Sequence, residues 1–389
     1  MTVRISKPAF NLREKLTELD REIGNHGAQL IKSSSLEETF DLLGLSGGKR
    51  NVIVNGAMRF NQRGESSYDA ANYTLDRWRY HRSTDGEFDI KPSTVAPPGF
   101  SNSLHVDCKV ASTTISNGAY ARLRYFVEGY DCQRFGKGTS NPKSFCLSFY
   151  VKTNITGTYS VNIQDSNSRI ISRTYTVTDG NWNRYIIVFP NESSNAIANN
   201  NATGLEIQFG LTMGANFTGG DSSKWTSWSD AKSHPGQNAN LYSDTDNNLY
   251  LTGVQLEPGN FATPFEHLSY GEELALCQRY YYKTFADNNK FFPGMGMADI
   301  DGNSVILNTQ FPVTMRTSPS GLEQSGTASD YKIRRSTTQT CTAIPSFGHA
   351  TTDQVATVFT KSSHGWGDGS AVRCMGGTTG AYLGWSAEM

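Results

Sequence analysis

The chain has 389 residues, 37% of them hydrophobic and 18% charged, so Ser, Thr, Asn and Gly make up much of the rest, a balance that favours turns and β-sheet over helical bundles. Thirty-five basic residues against 36 acidic ones give a net charge of −1, without a basic run that could track a phosphate backbone, which argues against nucleic-acid binding. The first ten residues hold no apolar stretch of the length that a signal peptide or membrane span needs, so a cytosolic product that does not insert into membranes is expected.

Leu12, Leu16, Leu19 and Ile23 recur at 4-3-4 spacing, which predicts an amphipathic helix of about two heptads. So short a helix is marginal alone and needs a partner for its stripe. Ser35 with Glu38 predicts a capping box, and a second short helix follows through Leu36, Phe40 and Leu43.

From Asn51 the texture becomes that of an all-β sandwich, short apolar runs divided by Gly, Asn, Asp and Pro. Strands are expected at 51–54, 104–106, 120–127, 145–151, 159–163, 185–189, 205–211 and 249–256, and Asn55-Gly56 reads as a turn. Period-2 logic puts Trp78 in the core with Arg77 and Arg79 outside, and Val254 and Leu256 inside with Gln255 and Glu257 outside. Residues 191–201 and 219–240 read as loops, the second carrying Trp225 and Trp228. Ser269 and Glu272 predict a capped helix to Gln278. A second β region follows, with strands expected at 279–284, 304–311, 331–333, 355–359 and 382–386, the last of them inside a sheet.

The resulting expectation is a mainly β fold in three parts: a helical docking and trimerisation segment (1–50), a jelly-roll sandwich (51–268) and a C-terminal β-sandwich (269–389). The six cysteines, Cys108, Cys132, Cys146, Cys277, Cys341 and Cys374, lie far apart inside apolar runs and read as buried free thiols.

Motifs of hydrolases, metalloproteases and nucleotide-binding enzymes do not occur, and the seven histidines form no ligand-like cluster, so no catalytic residues are assigned. Loop aromatics are the ligand candidates. Trp225 and Trp228, and Trp366 beside His364 in His364-Gly-Trp-Gly-Asp368, could stack on a pyranose ring; alternatively Trp225 and Trp228 pack their loop down or face a neighbouring subunit, and Trp366 plugs the core behind a tight turn. Asp244, Asp246 and Asn247, or Asp299, Asp301 and Asn303, could hold a structural calcium ion, and Asx turns explain both groups as well.

Asn51-Val-Ile-Val-Asn-Gly-Ala-Met-Arg-Phe-Asn-Gln-Arg-Gly64, followed by Tyr73-Thr-Leu-Asp-Arg-Trp78, resembles the opening of the carbohydrate-binding-module-like jelly roll of bacteriophage tail fibres. Gln133-Arg-Phe135, Phe145-Cys-Leu-Ser-Phe-Tyr-Val-Lys152, Leu251-Thr-Gly-Val-Gln-Leu-Glu-Pro-Gly259 and Tyr270-Gly-Glu-Glu-Leu-Ala-Leu-Cys-Gln-Arg-Tyr-Tyr-Tyr282 extend the likeness over about residues 51–283. Lys7-Pro-Ala-Phe-Asn-Leu-Arg-Glu-Lys-Leu16 looks like the virion-docking end of fibres from podovirus-like marine phages. The resemblance implies a homotrimeric virion fibre that meets host-surface polysaccharide and is held by a tail or other adaptor. The alternatives are a head or collar fibre with an adhesion role, a free carbohydrate-binding protein, and a polysaccharide depolymerase, whose β-helix repeats are not visible in this sequence.

Overall fold

The structure is a computed structural model that describes residues 49–69, 72–83 and 85–389, and Arg50–Met389 form one compact unit. The expected helices through Leu12–Ile23 and Ser35–Leu43 lie outside the described residues. Strand outweighs helix 42% to 8%, so the fold is mainly β. No helix among the described residues is long and apolar enough to cross a membrane.

Eleven strands build the first sandwich: β1 (Trp78–Arg82), β2 (Glu87–Ser93), β3 (Ser103–Val110), β4 (Tyr120–Glu128), β5 (Phe145–Thr153), β6 (Gly157–Asp165), β7 (Arg169–Val177), β8 (Asn183–Phe189), β9 (Thr203–Met213), β10 (Thr226–Ser227) and β11 (Asn248–Pro258). They form two antiparallel sheets, ordered β1-β4-β9-β6-β7-β10 and β2-β3-β11-β5-β8. Alternate residues of both sheets meet in one core, with Trp78, Leu123, Tyr125, Val161 and Phe209 from the first and Leu104, Phe149 and Leu251 from the second. This is the jelly-roll sandwich that the periodicity predicts. Strands β2 and β7 were not expected: the charges and Pro92 of β2 and the polar residues of β7 dilute the apolar signal on which the reading relies.

Residues 51–54 are not a strand. The Asn51 side chain replaces a ladder, since its Oδ1 accepts from the backbone N–H of Ile53 (2.9 Å) and Leu256 (3.0 Å) while its Nδ2 donates to the Val254 carbonyl (3.2 Å). Asn55 does take positive φ, +57°, and its amide closes the following loop through Phe60 and Asp76. Gly56 has a different role from turn flexibility: a Cβ there would lie 2.1 Å from the Val254 carbonyl oxygen, so only glycine allows β11 to approach.

Two other period-2 expectations fail. Gln255 and Glu257 are buried rather than outward, because residues 261–266 fold over that side of β11, and both side chains bond Thr263. Arg77 is fully buried at φ +72°, a backbone kink that turns its side chain away from the outward row that Arg79 occupies.

After a single helical turn α1 (Gly129–Cys132) early in the chain, the helix α2 (Tyr270–Gln278) follows the sandwich. Its N-terminus is the expected capping box, with Ser269 and Glu272 satisfying each other's backbone N–H groups. Cys277 on α2 packs with Val54 and Phe60 of the jelly roll.

Ten strands complete the chain: β12 (Tyr281–Ala286), β13 (Met295–Ala298), β14 (Ser304–Gln310), β15 (Glu323–Gln324), β16 (Tyr331–Arg334), β17 (Thr338–Thr340), β18 (Ser346–Ala350), β19 (Gln354–Thr360), β20 (Ala371–Gly376) and β21 (Ala381–Ser386). They make a three-stranded sheet, β12-β21-β15, and a seven-stranded one, β17-β16-β20-β13-β14-β19-β18, around a second core that includes Tyr331, Phe359, Leu383 and Trp385. Strand β21 lies between two partners, as expected for the last strand. All six cysteines are free and buried.

Candidate functional site

The outer face of the β1-β4-β9-β6-β7-β10 sheet carries a hydrogen-bonded constellation of polar side chains. On β4, Leu123 and Tyr125 point into the core, so Tyr120, Arg122 and Arg124 point out; on β9, Ile207 and Phe209 point in, and Glu206 and Gln208 point out. Antiparallel register sets Arg79 of β1 opposite Arg124, and His81 opposite Arg122.

These side chains form one hydrogen-bonded chain. Arg122 Nη1 donates to Gln208 Oε1 (2.8 Å), Gln208 Nε2 donates to Glu206 Oε1 (2.7 Å), and Arg124 grips Glu206 with two donors, one of them at 2.8 Å. Gln208 and Glu206 are 2% and 8% exposed, so they form the buried floor of a recess, and the half-buried Arg79, His81, Tyr120, Arg122 and Arg124 around it are the groups that solvent reaches.

One side of the recess is roofed by residues 217–237. Asn162 Nδ2 donates to the Ser233 carbonyl (2.7 Å), and Ser172 Oγ reaches the same carbonyl (3.1 Å). Gly210 permits that closeness, because a Cβ there would lie 2.0 Å from Gln237 Oε1. Beneath the roof, Ser160 Oγ, Asn162 Oδ1 and Gln237 Nε2 are buried without a hydrogen-bond partner among the described residues, as are the Nε atoms of Arg79 on β1 and Arg122 on β4.

Burial and the positive charges of Arg122, Arg124 and Arg79 push the His81 imidazole down to about 4, so it is neutral near pH 7. Arg122 can only donate, and its Nη2 faces His81 Nδ1 at 3.4 Å, so Nδ1 accepts and Nε2 carries the proton towards the Tyr120 hydroxyl, also at 3.4 Å. The groups that solvent reaches here are the Arg79, Arg122 and Arg124 guanidiniums, the His81 imidazole and the Tyr120 ring and hydroxyl, positioned by the buried Gln208 and Glu206, a set suited to a ligand rich in hydroxyl groups.

The residues singled out from sequence sit elsewhere. Trp225 belongs to the jelly-roll core at 9% exposure, its indole N–H donating to the Pro190 carbonyl (2.8 Å) and its ring beneath the Lys137 ammonium. A packed-down ring cannot stack on a sugar, so Trp225 is a loop anchor. Trp228 is 43% exposed at the short β10 edge. In the C-terminal sandwich His364 is buried, accepting from the Trp366 N–H at Nδ1 (3.1 Å), and Trp366 packs half-buried on the second core. Trp225 and the His364–Trp366 pair thus belong to separate cores.

Asp244 uses its carboxylate to accept the Asp246 N–H (3.0 Å), and Asn247 turns its amide inward to Ser243 (2.8 Å) and Leu241 (3.3 Å), an Asx turn rather than a convergent oxygen cage. Asp301 similarly caps Asn303 and Ser304. The acids Asp69, Glu87 and Asp89 do converge, but the Lys109 ammonium lies among them, 2.8 Å from Asp69 and Glu87.

The sequence reading missed the recess residues. Their signal was present in two stretches, Ala121-Arg-Leu-Arg-Tyr125 and Leu205-Glu-Ile-Gln-Phe209, where charged or amide side chains alternate with core residues on neighbouring strands.

Compared by sequence, the chain matches no family model and no curated protein. Among solved structures it is similar to the enzymatically active domain of tailspike protein 4 of bacteriophage CBA120, at 15% identity and a TM-score of 0.29 over 54% of this chain, and it spans only 21% of that one. It is also similar to TmCBM61 in complex with β-1,4-galactotriose (10% identity, TM-score 0.29, 54% of this chain and 99% of that chain). A third likeness is to a family 11 carbohydrate-binding module of Clostridium thermocellum (12% identity, TM-score 0.27, 52% and 98% of the two chains).

Proposed function

We propose that the chain is a non-enzymatic virion fibre subunit that contacts host-surface glycan through the recess on the outer face of β1, β4 and β9. The observation that carries the glycan part is the Arg122–Gln208–Glu206–Arg124 chain on the recess floor, bordered by the Tyr120 ring. The buried Gln208 and Glu206 hold the guanidiniums in place, planar guanidinium groups bond neighbouring ring hydroxyls in pairs, and an aromatic ring gives the sugar's C–H face an apolar surface. The tail-fibre resemblance of residues 51–283 supports the virion part. In this reading Leu12, Leu16, Leu19 and Ile23 join three copies and meet a tail adaptor, leaving the sandwiches on the particle exterior.

The test pairs two measurements. Purified chain is expected to bind host-surface polysaccharide; Gln208→Ala, which strips Arg122 of its partner and should cost about 1–3 kcal/mol of stability, is expected to abolish that binding at a temperature where its circular dichroism still matches wild type. Antibody labelling of purified particles is expected to find the chain on the outside. Polysaccharide shortened during the incubation would replace attachment by depolymerase activity, and unlabelled particles would leave a free binding protein.

A further inference from the structure

Resting on that reading of the recess, we infer that its ligand is an anionic saccharide, one whose carboxylate, sulfate or phosphate group sits against Arg79 and Arg122.

The charge balance of the face leads there. Three guanidiniums, Arg79, Arg122 and Arg124, lie on the outer face of two adjacent strands. Glu206 is committed to Arg124, which binds it with two donors. Arg122 instead bonds the neutral Gln208 and a neutral imidazole, with Glu206 and, more weakly, Asp230 of the exposed loop acting on it only through space. Arg79 has no ion pair among the described residues; its nearest aromatic face is Tyr73, 5.9 Å from the guanidinium carbon to the ring centroid. The face thus keeps a cationic excess where a neutral sugar would need none.

The register sharpens the point. Arg79 and Arg124 are directly opposite each other, and like charges so placed on a sheet destabilise it. A protein holding only neutral sugars would gain from an amide or hydroxyl at position 79. An oxyanion held against the half-buried Arg79 and Arg122 guanidiniums offsets that excess positive charge. His81 stays neutral between them, so the attraction comes from the arginines and does not switch near neutral pH.

The experiment is a glycan array carrying neutral, uronic-acid, sulfated and phosphorylated saccharides on related backbones, probed with the full chain and with Arg79→Gln and Gln208→Ala. Acidic glycans are expected to dominate the hits, Arg79→Gln to weaken them about tenfold, and raised salt to do the same. The uronate, sulfate and phosphate arms identify which oxyanion is taken. Binding spread evenly over neutral and acidic glycans, lost in Gln208→Ala yet unchanged in Arg79→Gln, would overturn the charge inference and leave the glycan reading standing. Absence of any bound glycan would overturn both.

Discussion

Arg77 and Glu388 stand 311 residues apart in the chain, yet their charged groups form an ion pair with side chains 0% and 3% exposed. Arg77 comes from the start of the jelly roll and Glu388 from beyond β21, so the pair ties the first sandwich to the second. The same guanidinium lies 3.4 Å over the Tyr280 ring and donates to the Phe126 carbonyl. Nearby, Glu128 of β4 accepts both Arg279 (2.8 and 2.9 Å) and the Tyr280 hydroxyl (2.5 Å), and Arg316 donates to the Ala387 and Glu388 carbonyls (2.7 Å each). The two sandwiches are therefore clamped into one body rather than strung on a linker.

Removing one side of a buried pair leaves a charge without compensation. Glu388→Ala is expected to cost about 3–5 kcal/mol of stability, measured by urea unfolding. A double variant, Arg77→Met with Glu388→Leu, is expected to recover most of that loss. Equal stability of Glu388→Ala and wild type would contradict the clamp.

The loop tryptophans should separate cleanly. Trp225→Ala opens a cavity in the jelly-roll core and is expected to destabilise by about 3–5 kcal/mol. Trp228→Ala changes an exposed ring and should stay within about 0.5 kcal/mol. Thermal melts of the two variants check this.

Acid should weaken the fold through its depressed histidines. His81 is held down to about 4 by burial and the arginines, and burial holds His234 well below the ordinary range, so between about pH 6.5 and 4 the unfolded chain takes up protons that these folded sites refuse. Stability from these groups is complete above about pH 6.5 and falls as the pH drops towards 4. Asp76 works the other way, since burial pushes its carboxyl up to about 6. The acid loss of midpoint is expected to be smaller in His81→Gln than in wild type, by denaturation at a series of pH values; an unchanged pH slope would show that His81 titrates normally.

Burial raises the thiols, with Cys108 pushed up to about 11 and Cys146 and Cys341 to about 12. A thiol reagent at pH 8 is expected to label none of the six in the native chain and all six in urea. Rapid native labelling would place at least one cysteine outside the cores.

The outline of the fold was legible because strands leave a local trace. The alternation through Leu123, Tyr125, Ile207 and Phe209 marks a half-buried sheet, and the Ser269 and Glu272 pair marks a helix start within four residues. Strands β13, β17, β18 and β20 escaped because they are short, polar or broken by glycine, so partners across the sheet define them more than their own residues do.

By itself, then, the sequence determined a mainly β chain with buried thiols, a turn at Asn55 and a capped helix at Ser269, all consequences of period-2 patterning and local backbone preference. Only the tertiary structure decided which polar residues face solvent. Period 2 divides a strand into two faces without saying what covers either one: residues 261–266 bury Gln255 and Glu257, and a positive φ sends Arg77 inward. Residues 217–237 cover the outer sheet face at β6 and β7 and leave Arg79, Arg122 and Arg124 partly exposed on β1 and β4, while Trp225, the obvious ligand by residue type, is drawn into the core.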